Sequence, residues 1–293
     1  MATVEHALTR DPLLGAVAAP VRRSRTFRPA VVASSLFLGF IALAVLAPSL
    51  VAGESPLQVH LDQSFQAPSL HHLFGTDQSG RDVYARVIHG ARESVLIGLG
   101  ATALGLAIAT VLGLVSGLGG RIADATVTRL LEVLFAFPGL LLALLFVAIF
   151  GTGSGTEIVA VALASAPGYA RMIRGQVLAV KGSPYVEASL ALGHPARRTI
   201  ARTILPNAMR PLVVLATLGV GQSIVWASSL SFLGLGVAPP DPEWGAMLNA
   251  GRDYIQHAWW LDFFPGAVIV AFTLAATALG RYLQTRLEGR LER

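Results

Sequence analysis

Five runs of the chain contain no charged side chain: residues 29–53, 94–120, 133–156, 212–240 and 263–280. A helix needs about 20 apolar residues to cross the hydrocarbon of a bilayer, and these runs approach or exceed that length. Unpaired backbone groups find no water in a bilayer, so a chain with several such runs folds as a bundle of helices. Composition agrees. Of the 293 residues 54% are hydrophobic and 13% charged, against about 25% charged in a soluble domain. There is no cysteine, which excludes disulfides, thiolate zinc sites and thiol catalysis. The net charge of +5 is spread over loops and does not point to a nucleic-acid partner.

A sixth apolar run, residues 158–170, lies between Glu157 and Arg171 and is short enough to be a buried or re-entrant piece. Charge decides it. Lys and Arg concentrate on cytoplasmic loops. With six spans and the N-terminus inside, all but four of the 22 cationic residues fall inside; Arg81, Arg86, Arg92 and Arg252 are the exceptions. Omitting the short span would expel Arg171, Arg174, Lys181, Arg197, Arg198, Arg202 and Arg210 together. The fold expected is therefore an all-α polytopic membrane protein of six transmembrane helices, with Glu157 and Arg171 snorkelling to opposite interfaces. Residues 1–28 form an inner tail whose Arg22, Arg23, Arg25 and Arg28 read as the basic flank of a retained signal anchor rather than a twin-arginine signal. Residues 29–53 are the first span and 54–93 an outer segment. Residues 94–284 form a five-helix core that includes an inner loop at 171–211, and 285–293 a second inner tail.

The outer segment carries FGTDQSGRDVYARVIHGARES at residues 74–94. Ser79 with Asp82 three residues later resembles a capping box. Val83, Val87, Ile88, Ala91 and Val95 recur at helical spacing, which predicts an amphipathic helix lying on the outer membrane face. The packed GTDxxGRD string suggests a specific fold element rather than a generic connector. Within the spans, Gly113 and Gly117 form a GxxxG pair that admits close helix approach. Pro138 and Pro167 predict kinks in spans three and four. Gln222, Ser223, Trp226 and Ser229 put polar groups into span five. They are translocation-pathway candidates, with helix–helix hydrogen bonding the competing reading. Trp259 and Trp260 read as an interfacial belt.

Covalent chemistry has no residues to stand on. The one lysine, Lys181, lies between Val180 and Gly182, so the chain has no Gly-Lys-Ser/Thr phosphate loop. GTGSG at 151–155 lacks the order of a nucleophile elbow. His60, His71, His72 and His89 read as solvated loop residues rather than a metal site. No nucleophile, base and oxyanion hole assemble.

The inner loop is structured. Ser183 can cap a helix that starts at Pro184. Gly193 supplies a left-handed stop, and Pro195 can begin a second helix. Tyr185, Val186 and Leu190 offer an apolar anchor beside small Ala188 and Ser189, flanked by Arg197, Arg198 and Arg202. Pro206 breaks the chain again before span five.

EASLALG followed by TILPNA resembles the "EAA" loop of permease subunits of binding-protein-dependent ABC importers. Glu187, Ala188, Gly193, Leu205 and Pro206 match the pattern, and Ser189 stands where the third small residue is expected. Gly75, Thr76 and Asp77 with Gly80, Arg81 and Asp82 are similar to the signature of the peptide and nickel branch. AFPGLLLAL, PGYARMIRGQVL and SLSFLGLG resemble that branch too. The resemblance implies a type I ABC importer permease fold with a cytoplasmic coupling helix at residues 185–193. Tyr185, Val186, Glu187, Ala188, Ser189, Leu190, Gly193 and Pro206 would then be the ATPase-coupling residues. It implies a homologous permease partner, two ATP-binding subunits that carry the ATP and Mg, and an extracytoplasmic substrate-binding protein. It further implies a bacterial inner membrane location with both termini cytoplasmic, and dipeptides or oligopeptides as cargo. The alternatives are a nickel or nickel-chelate permease, a membrane scaffold, and an intramembrane hydrolase.

Overall fold

The computed structural model describes residues 29–288, with side chains through Arg286. The inner tail at 1–28 and the end of the second tail lie outside the described residues. The described chain runs through α1 (Pro29–Leu46), α2 (Pro48–Val51), α3 (Val83–Leu118), α4 (Arg121–Ala136), α5 (Gly139–Phe150) and α6 (Ser154–Lys181). It continues through α7 (Pro184–Ala191), α8 (Ala196–Thr199), α9 (Leu205–Ala208), α10 (Leu212–Phe232), α11 (Trp244–Gly251) and α12 (Trp260–Glu288).

Helices α1, α3, α10 and α12 are each long and apolar enough to cross a membrane, and α4 with α5, bent by 89°, can supply a fifth span. The expected count of six is thus not matched by length and composition. The shortfall is α6. Its 28 residues reach about 42 Å, but it carries Glu157, Arg171, Arg174 and Lys181. It runs along α3 and touches α5 and α10, so it needs less apolar surface than a helix surrounded by lipid.

Several local expectations are corrected. Residues 83–95 do not lie on the membrane face. They are the first turns of a single 36-residue helix, α3, and Val83, Ala85, Arg86, Val87, Ile88 and Ala91 are all buried. Asp82, not Ser79, is its N-cap and accepts from the Ala85 N–H at 2.8 Å. Pro138 does not kink a span. It caps α5 after a sharp break from α4, because a proline N has no proton to continue the ladder. Pro206 is not itself the break before α10. It lies in α9, preceded by a π-turn at Ile200–Ile204 whose Leu205 N–H reaches Ile200 O, and the helix ends only at Met209. Glu157 does not snorkel; it is fully buried. Trp260 is buried as well, with only Trp259 left exposed as a belt residue.

The core has two ends. At one, Ala52 beyond α1 packs with Ala85 and Ile88 of α3, Trp244 of α11 and Phe272 of α12. Nearby, Val83, Val87, Met247, Trp260 and Leu261 close a second cluster. At the other, Val127 and Leu131 of α4 meet Ile173 and Val177 of α6, Val186 of α7 and Ala208 of α9. Chain direction places the start of α1 and the end of α12 toward this second end.

Candidate functional site

Helix α7 is the polar stretch that interrupts the membrane pattern. Pro184 opens it and Ser183 precedes it, but the Ser183 hydroxyl donates to Val180 O at 2.5 Å instead of capping α7. Its exit is built as the sequence suggested. Gly193 adopts φ +78°, its N–H reaches Leu190 O at 2.9 Å, and the His194 N–H reaches Ser189 O at 3.3 Å. These are the two bonds of a Schellman stop. The helix presents two faces. Tyr185 and Leu190 are about half exposed, and Leu192 is 76% exposed; Glu187, Ala188, Arg197, Arg198 and Arg202 also face water. Val186 points the other way into the core, 3% exposed, and so is not part of the outward anchor. Ser189 is held inward too, its Oγ 3.1 Å from Thr199 Oγ on α8. Leu192 joins the water-facing patch in their place.

An ion pair that the loop-by-loop charge reading did not find joins α4 to α6. Arg174 donates from Nε and a terminal nitrogen to the two oxygens of Asp124, at 2.7 and 2.8 Å. Asp124 also receives the Ser116 hydroxyl. The ends of α3, α4 and α6 are thereby tied at one point, and Arg174 proves to be a helix residue rather than a free loop charge.

At the opposite end the GTDxxGRD string forms a closed latch. Thr76 Oγ1 donates to Gln63 O and accepts from the Gln66 N–H. Asp77 accepts from the Ser79 and Arg81 N–H groups and, at 2.7 Å, from Arg81 Nε. Asp82 caps α3 with one oxygen and meets His72 Nδ1 with the other at 2.9 Å. Glu54 approaches the same pair. Gly75 and Gly80 take φ +74° and +71°, and a Cβ at Gly80 would run into the His60 carbonyl. Trp260 Nε1 donates to Thr76 O at 3.1 Å, pinning the latch to α12.

The four polar candidates of α10 separate. Gln222 is exposed, while Trp226 and Ser229 are half-buried at i+4 and i+7 on the same side. Ser223 belongs to the packed side, 2% exposed, and accepts from Thr102 Oγ1 of α3 at 3.0 Å. Trp226 also packs against Gly139 at the start of α5. Two carboxylates are buried: Glu157, read in the sequence as interfacial, and Glu243, which the sequence analysis did not single out. Ser231 Oγ donates to Glu157 at 3.0 Å. Glu243 accepts from Ser94 Oγ and from the N–H groups of Gly245 and Ala246.

A family model described as "Binding-protein-dependent transport system inner membrane component" matches residues 109–293, which include α7, the Asp124–Arg174 brace and α10. The chain belongs to that family. It is an ABC importer permease subunit, a multi-pass inner-membrane transport component that works with ATPase and substrate-binding components. This permease is 37% identical over 263 residues to the dipeptide transport system permease protein DppC of Alkalihalophilus pseudofirmus, covering 90% of this chain and 86% of the relative. It is 40% identical to the di/tripeptide transport system permease protein DppC of Pseudomonas aeruginosa, over 88% of this chain and 87% of the relative. It is also 40% identical to the glutathione transport system permease protein GsiD of Pectobacterium atrosepticum, over 89% and 87%. Among solved structures, an inward-facing MetNI methionine ABC transporter matches with a TM-score of 0.56 at 20% identity, covering 69% of this chain and 96% of that one. An amino acid ABC transporter with histidines matches with 0.57 at 17%, over 69% and 94%. At these identities the structures speak for the fold.

Proposed function

We propose that this permease carries dipeptides or oligopeptides and forms half of the translocation pathway, paired with a homologous permease. Two ATP-binding subunits dock on the α7 end, which faces the cytoplasm together with both termini. An extracytoplasmic peptide-binding protein delivers cargo to the latch end. The observation that carries this reading is the two-faced α7: Val186 and Ser189 lock it to the bundle while Tyr185, Glu187, Ala188, Leu190 and Leu192 are offered to water. A short helix held this way passes a push from a docked subunit into α6 on one side and α10 on the other. The chain offers no phosphate loop of its own, so the energy enters through that surface, and ATP-driven closure rocks the permease halves in alternating access. Gln222, Trp226 and Ser229 on the open side of α10 are the pathway candidates that remain. Peptide cargo rests on the relatives above, which are named for dipeptide, di/tripeptide and glutathione transport and favour it over nickel.

The test is uptake of labelled dipeptide and of nickel by a strain lacking this chain, with and without its return on a plasmid. Restored dipeptide uptake supports the reading. Restored nickel uptake alone replaces the cargo, and restoration of neither removes the cargo assignment.

A further inference from the structure

One crevice is used by neither the docking surface nor the pathway. At the α7 end of the bundle, the start of α1 and the last turns of α12 frame an open crevice of about 530 Å³ between Pro29, Val31, Leu274, Ala278, Arg281 and Tyr282. Its chemistry is graded with depth. Leu274 lies about 10 Å further into the bundle than Arg281, from the rise of two helical turns. Val31, Leu274 and Ala278 make an apolar wall below, and Arg281 and Tyr282 make a polar rim above. Among the described residues Arg281 has no hydrogen-bond or ion-pair partner. No Asp or Glu is among the residues that line the crevice. Arg286 donates to the Tyr282 hydroxyl from two nitrogens at 2.9 and 2.6 Å. That oxygen is then fully used as an acceptor, and its own proton is free to be given.

We propose that this crevice binds an anionic phospholipid, with the phosphate at Arg281 and Tyr282 and an acyl chain along Val31, Leu274 and Ala278. A basic pocket between transmembrane helices suits an anionic headgroup, and an unanswered guanidinium over an apolar groove matches both halves of such a lipid. A zwitterionic lipid brings a second cation, for which the described lining holds no acid. The proposal depends on the membrane fold and is independent of the cargo assignment.

The test uses the intact transporter, co-purified with its partner subunits, stripped of lipid and re-exposed to phosphatidylglycerol or phosphatidylcholine of identical acyl chains. Bound lipid is counted by native mass spectrometry. The expectation is retention of phosphatidylglycerol over phosphatidylcholine, and a loss of about fivefold in Arg281→Gln. Arg281→Lys should keep most of the binding. Ala278→Trp, which fills the groove but leaves the charge, should lose it. Arg252→Gln, at the other end of the bundle, should be unchanged. Equal retention of the two lipids by the wild type would overturn the proposal, as would undiminished phosphatidylglycerol in Arg281→Gln. If Arg281→Gln fails to assemble, thermal stability of the wild type decides: stabilisation by phosphatidylcholine equal to that by phosphatidylglycerol refutes it.

Discussion

Replacing Val186 by Ala should loosen α7 without touching the surface it offers to water. Eight residues are too few for a helix to persist alone in water, so α7 depends on its attachments. Val186 is 3% exposed within the cluster formed by α4, α6 and α9. Removing its two methyl groups forfeits about 1.6 kcal/mol of burial at about 0.8 per carbon. The unfilled space brings the total to about 2 kcal/mol. That corresponds to a change of about thirtyfold in the ratio of docked to undocked α7. Hydrogen exchange of the α7 amides reads this ratio directly, since local opening limits their protection. Exchange of residues 185–191 should therefore rise by an order of magnitude or more, while the α3 amides stay protected. Tyr185→Ala, on the exposed face, should leave exchange unchanged and instead lower ATP hydrolysis stimulated by the binding protein. If Val186→Ala exchanges like the wild type, or if Tyr185→Ala loosens α7 as much, the two-faced reading of this helix is wrong.

Glu187→Lys and Gly193→Pro should abolish uptake while the permease still reaches the membrane; normal uptake in both would remove the coupling role. Gly80→Ala combines a left-handed backbone with a collision at His60, and should cost more than about 1 kcal/mol, visible as lower thermal stability. Asp124→Asn and Arg174→Gln should each lower the melting temperature, and the double variant should be little worse than either single one, as a shared interaction requires. Gly113→Ala would bring a Cβ to 2.7 Å from Ile173 Cγ2, and Gly117→Ala one to 2.6 Å from Val177 Cγ1. Each should cost about 1–3 kcal/mol by overpacking, and unaltered melting would show that α3 and α6 can separate freely.

What could be read from the sequence was what local physics decides. Hydrocarbon demands uncharged runs, so α1, α3, α10 and α12 announce themselves. The stop at Gly193 was legible because a Schellman turn involves only its immediate neighbours. Ser79 and Ser183 failed as caps for local reasons, since Asp82 and the Val180 carbonyl were the nearer partners, but other failures are tertiary. Glu157 looked like an interfacial charge because its partner Ser231 lies 74 residues away. Trp260 looked like a belt residue because its acceptor, Thr76 O, is 184 positions distant. Pro138 signalled a lost backbone hydrogen bond, but nothing local says whether the helix kinks or ends there. In α7, Tyr185 and Val186 are equally apolar neighbours. Only the position of α4, α6 and α9 decides which of the two is buried.

The same contacts say where the molecule can bend. A Cβ at Gly105, Gly113 or Gly117 of α3 would press on Ala162 and Ser165, Ile173, or Val177 of α6. The two backbones therefore lie against each other for more than three turns, and interdigitated helices resist bending. The Asp124–Arg174 pair ties α4 to the same block. On the proposed coupling role, a displacement at α7 would be carried by α3 and α6 as one rigid lever. It would be absorbed where helical hydrogen bonding stops: at the 89° break before Gly139 and at the turn between Ala208 and Leu212. Both breaks adjoin prolines, Pro138 and Pro211, and Trp226 of α10 packs onto Gly139 beside the first. Motion at either hinge would thus re-aim the open face of α10, which is the face that carries Gln222, Trp226 and Ser229.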